Sequence, residues 1–319
     1  MDPKDIDSLR ALLPAGRTLF PYYRNKYGLQ LLRYAVRQPT PVAALRSHPV
    51  AQLLHKPALK PVLADCGGTL TPAQIAFAEA LAECSARPEH YTLSLGVWGN
   101  GRERAPQTSR RGTNLVLQLN FSHAHNRAFQ RLARPRSGCD PFNYCAHPVL
   151  QDTRQARRYT LAWARLDIDF EQDEALIEEI QTDWLRAATT AREFAARCDD
   201  AAFTRRYGRR LDGSRTDLMA YHDTVLAPHR AHWDEAMLAA ALFFLREELG
   251  LRRIWMHSAE SGIALKSMRG GPPPVSLYTR LPQRFCFRPT PELPGLLARE
   301  RQAVKRLRAH AAALLKFTL

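Results

Sequence analysis

A chain of 319 residues with 45% hydrophobic content can fill one large core or two ordinary ones. Its 46 Lys and Arg against 31 Asp and Glu leave a net charge of +15, a balance that attracts nucleic acid or another polyanion. No apolar run reaches the roughly 18 residues of a membrane helix, and the opening MDPKDIDSLR is too polar for a secretory signal, so a cytoplasmic chain with no membrane partner is expected.

The first segment, 1–87, reads as helical with breaks. LQLLRYAV has helical apolar spacing and ends at Pro39 and Pro41, and short helices follow between prolines. Thr71 then caps a helix that has Pro72 at its first position. The mixed cluster Tyr22, Tyr23, Arg24, Lys26 and Tyr27 fits a helix-packing seam.

From Pro88 the composition changes, and 88–290 is read as an α/β (α+β) core, a mixed and largely antiparallel sheet flanked by helices. TLSLGVWG is a strand, followed by an arginine-rich loop in which Arg102, Arg104, Arg110 and Arg111 are candidate phosphate contacts. TNLVLQLNFS is a second strand with a mostly buried face. The cysteines, six in all, are scattered without a CxxC pair and read as reduced thiols. Cys139, Cys145 and His147 lack a second ligand pair, and His222, His229 and His232 have no better spacing, so no metal is expected.

YTLAWARLDID and EALIEEIQ read as an antiparallel hairpin whose second strand carries the acidic motif EALIEEIQTDW. Period two places Ile177, Glu179, Gln181 and Asp183 on one side of it and Leu176, Glu178 and Ile180 on the other. A glutamate on such a strand, held in an apolar pocket, has its pKa raised toward neutrality, which suits a general base. With Asp183 and His257, Glu178 and Glu179 form the candidate catalytic group. Thr182 caps the next helix, whose N-terminus with Arg186 is a candidate anion or cofactor seat. Arg205, Arg206, Arg209 and Arg210 form a second basic cluster. Asp234 caps a helix apolar on nearly every side that Gly250 stops, and RRIWMH follows as a strand. RFCF reads as an edge strand, and 291–319 as a C-terminal amphipathic helix.

The order strand, strand, buried helix, strand, short helix, with SLYTRLPQRFCF behind it, resembles the C-terminal half of the GNAT acyltransferase superfamily. Leu277 and Tyr278 match the leucine-tyrosine pair of the family's last helix, with Cys286 and Phe287 at the later strand start. The resemblance implies acetyl-CoA or another acyl-CoA as cofactor and an amine-bearing acceptor. Tyr278 inherits the role of proton donor to the departing thiolate, and Glu178 or Glu179 that of base. Ahead of Asp234 the chain reads APHRAHW where the family has a glycine-spaced pyrophosphate loop, and Arg230 is the cation left there to meet a phosphate. LIEEIQTDW with LGLRRIWM is also similar to a segment of large multidomain proteins of phages and other mobile elements. That likeness keeps a non-catalytic, nucleic-acid-binding function as the alternative.

Overall fold

The computed structural model describes residues 1, 3–12, 18–99, 107–137, 139–144, 147, 149, 159–266 and 274–319. Eight strands form one mixed sheet: β1 (Thr18–Tyr22), β2 (Glu89–Trp98), β3 (Asn114–Asn120), β4 (Thr160–Asp169), β5 (Glu174–Gln181), β6 (Arg253–Met256), β7 (Phe287–Thr290) and β8 (Leu314–Phe317). Their order is β1-β2-β3-β4-β5-β6-β8-β7, every pair antiparallel except β5 with β6. The expected mixed, largely antiparallel sheet flanked by helices is therefore present.

One face of the sheet packs on α4 (Asp183–Ala195) and α7 (Ala227–Phe243). In α7 every residue from Ala236 to Leu242 is fully buried, as an all-round apolar helix must be. The opposite face packs at its β6 end on α8 (Ala259–Leu265) and α10 (Arg301–Ala309), through Leu176, Trp255 and Leu314 against Leu265 and Leu307. Local signals explain several boundaries. Thr71 and Gln74 form a capping box at the start of α2 (Pro72–Ala86), and Thr182 Oγ1 accepts from Leu185 N at 3.3 Å at the start of α4.

Several expectations need correction. Asp234 does not cap α7, because Pro228 in the first turn starts the helix seven residues earlier, at Ala227; Gly250, at a φ of 73°, follows its end as expected. Thr18–Tyr22 is not helical: it pairs with Leu93–Glu89 as an edge strand, a place where Pro21 removes no needed donor. The C-terminal segment is not one helix. After α10 the chain turns through Ala311, at a φ of 47°, and inserts β8 between β6 and β7. Leu315 and Phe317 then face the main core and Leu314 the smaller one, a period of two that the helical spacing of Leu307, Ala311 and Leu315 conceals. The sheet thus draws strands from all three sequence segments. β7 lies at the edge as read, but it begins at Phe287 rather than Arg284.

A further correction concerns the acidic strand. Arg165 pairs with Glu179 and Leu166 with Ile177, so Glu178 is the extra residue of a β-bulge. Alternation breaks there, and Ile177 and Ile180 both enter the main core.

Candidate functional site

β5 and β6 pair from Glu174 with Arg253 to Ile177 with Met256 and then part. β5 continues to Gln181, while the chain beyond Met256 turns into α8, where Ser258 Oγ accepts from Ser261 N at 3.1 Å. The mouth of two parallel strands is where α/β sheets place ligands. Here the divergence is filled by side chains. Glu178, fully buried, accepts from Ser109 N at 3.2 Å and Ser109 Oγ at 2.8 Å. Its Oε2 lies 3.3 Å from His257 Nε2 and 3.2 Å from Lys266 Nζ. Lys266 also donates to the Glu178 carbonyl oxygen. His257 Nε2 is 2.7 Å from Ser109 Oγ, and its Nδ1 is 3.0 Å from Ser261 Oγ.

The electrostatics reverse the expected shift. Burial pushes the Glu178 carboxyl up, but Lys266, aided by His257 and Arg165, outweighs it and holds the group well below the ordinary carboxylate range. Burial, reinforced by Lys266, lowers the His257 imidazole, which is therefore neutral at neutral pH. Burial also lowers the Lys266 ammonium against the pull of Glu178. Glu178 is thus the fixed anion of a buried pair and not a base poised near neutrality, because the pocket predicted to be apolar contains a cation.

The other acids divide. Glu179 Oε2 accepts from Arg165 Nη2 at 2.5 Å, and the same nitrogen reaches Gln107 O at 2.8 Å. The guanidinium lies over the Trp98 ring at 5.1 Å. Asp183 accepts from Gln181 Nε2 at 2.7 Å and Arg186 Nη2 at 2.6 Å, and lies 2.6 Å from His147 Nδ1. Burial raises its pKa, but His147 and the other donors lower it more. The helix terminus assigned to an external anion, with Thr182 and Arg186, is filled by the chain's own carboxylate. Arg230 is not beside it: its Nη1 is 3.0 and 2.8 Å from the ring nitrogens of His222.

Tyr278 is buried, and its hydroxyl has no hydrogen-bond partner among the described residues. Burial, then the nearby Glu179 carboxylate, raises its pKa against the opposing Arg165, so the group stays a phenol. Arg165 Nε and Nη1 are also buried without a hydrogen-bond partner among the described residues. Each such donor costs about 1–3 kcal/mol unless a polar atom reaches it. Tyr278 lines a cavity of about 530 Å³ with Ser258, Glu260, Thr279, Gln283 and Arg288 among the other walls. Glu178, Glu179, Asp183 and His257 are not among the residues that line it.

Sequence reading missed Ser109, Lys266, Glu260 and Arg288. Only Lys266 left a signal, a lone cation directly behind the buried Ala264 and Leu265 of α8. Among the predicted phosphate contacts, Arg102 and Arg104 lie outside the described residues. Arg110 is committed to Asp167 through bonds of 2.6 and 2.9 Å, whereas Arg111 is exposed. Arg205, Arg206, Arg209 and Arg210 are all exposed around the C-terminal end of α5 (Asp200–Tyr207), where a helix dipole favours cations. Arg206 covers Phe194 at 4.6 Å, and Arg136, Arg205 and Arg209 line a second cleft of about 470 Å³. Among the described residues no group of three or more His, Cys, Asp or Glu is placed to hold a metal ion, and no helix is long and apolar enough to cross a membrane. Comparison with protein families, with curated proteins and with solved structures finds no match.

Proposed function

We propose that the chain is a degenerate relative of the GNAT acyltransferases that binds an amine-bearing ligand in the cavity at the exit of β6 and does not use CoA. Support for the kinship is the element order on which the resemblance rests: β4, β5, the buried α7, β6 and α8 occur in that order, with other helices between β5 and α7, and Leu277 and Tyr278 stand ahead of β7.

Support for the loss of CoA is local. A diphosphate at a helix N-terminus needs free amides and small residues. Asp183 occupies the first turn of α4, and the first turn of α7 contains Pro228 and no glycine. At the strand divergence, Lys266 takes the Glu178 carbonyl that a ligand lying along β5 would need. The residues present do not fit the cofactor.

One observation carries the amine reading. The β5 acids Glu178 and Glu179 are each paired with a cation of the chain, whereas Glu260, exposed and lining the cavity, has no cationic partner among the described residues. Calorimetry is the test. Acetyl-CoA at millimolar concentration is expected to give no binding heat. Hexylamine is expected to bind, with an affinity about tenfold weaker in Glu260→Gln, the loss of one charge-assisted contact. Saturable binding of acetyl-CoA would restore a cofactor-dependent transferase instead.

A further inference from the structure

We infer that the cavity at the exit of β6 is a site for a small zwitterion, its ammonium held by Glu260 and its carboxylate by Arg288. This rests on the reading of the cavity as an amine site and adds the second pole. Both residues are exposed and line the same hollow. Each would be the obvious partner of the other. Yet no ion pair joins them, and among the described residues neither has any other opposite charge in contact. Two unpaired opposite charges on the walls of one cavity mark separate poles, which one molecule bearing both signs can satisfy together.

The rest of the lining agrees. Ser258 and Thr279 supply hydroxyls, and Phe287 and Leu315, both buried, supply an apolar floor for a short carbon chain. A volume of about 530 Å³ is that of an ordinary small-molecule site, which combines an apolar wall with a few fixed polar groups. Arg288 reaches this wall because Cys286, itself part of the lining, adopts a left-handed φ of 62° and turns the chain from α9 (Arg280–Arg284) into β7. A β-carbon makes that conformation costly, so the turn into β7 is held by its surroundings. Cys286 Sγ lies 3.5 Å from both the Pro49 carbonyl oxygen and Gln52 Nε2.

Three probes of equal chain length separate the poles: 6-aminohexanoate, hexylamine and hexanoate, titrated calorimetrically into the intact protein. The zwitterion is expected to bind at least about tenfold more tightly than either single-charge analogue, one charge-assisted contact's worth. Glu260→Gln should reduce it to the affinity of hexanoate, and Arg288→Gln to that of hexylamine. Both positions are exposed, and an unchanged thermal unfolding curve will establish that each variant folds. If hexylamine matches 6-aminohexanoate, or Arg288→Gln changes nothing, the zwitterion inference is overturned and the amine site stands. If none of the three binds, both fall.

Discussion

Lys266→Met is expected to destabilise the protein by about 3–5 kcal/mol, read as a lowered urea midpoint, because it strands a carboxylate in the closed divergence of β5 and β6. Glu178 is fully buried, and its ionised form is favoured chiefly by Lys266. Glu178→Gln should cost a comparable amount by stranding the ammonium instead. The double variant, with neither charge, is expected to recover most of the loss, since a buried pair replaced by neutral groups of similar size is often close to neutral in stability. Additive losses would mean that the two side chains do not act as a pair.

The second large effect is a loss of stability on mild acidification. His125, His229 and His232 are buried around the aromatic cluster of the main core. Tyr91 Oη is 2.8 Å from His229 Nδ1 and 3.2 Å from His232 Nε2, and His125 Nε2 is 2.9 Å from Tyr221 Oη. Burial lowers His125 and His232 to about 4, with Arg24 adding to the shift of His232, while His229 falls well below its ordinary value from burial and the neighbouring imidazoles. At His125 and His232 the unfolded chain takes up its protons near pH 6.5 and the folded chain only near 4, so the stability they contribute is full above about 6.5 and declines from there toward 4. At pH 5 the loss from His125 and His232 alone is roughly 4 kcal/mol. Urea unfolding at pH 7 and pH 5 checks this, and equal stability at the two values would show that the imidazoles are not held neutral.

Periodicity explains which elements were legible in the sequence. Alternation marked the β4–β5 hairpin, uninterrupted apolar content marked α7, and hydroxyl caps marked the starts of α2 and α4. All three signals are local. The bulge at Glu178 is not, because a one-residue insertion is set by the register of the partner strand and leaves no trace in the strand's own residue types. The bulge takes Glu178 out of strict alternation, and nothing in the strand's own residues anticipates its buried pair with Lys266. Lys266 and Ser109 come from segments distant in the chain, so the direction of the Glu178 shift was reversed by neighbours that spacing cannot supply. β1 and β8 were missed for a related reason, since short edge and inserted strands acquire their identity from the sheet they join. Glu260 and Arg288 carry no sequence signal that they line one hollow.

Direct evidence will come from a 13C NMR titration of the Glu178 side-chain carboxyl in the folded protein, from pH 8 down to the onset of acid unfolding. An ionised carboxylate over that whole range is the predicted result, with the anion committed to Lys266 and the ligand left to the cavity beyond β6. A carboxyl that takes up its proton near neutral pH would contradict this and return Glu178 to the role of a general base.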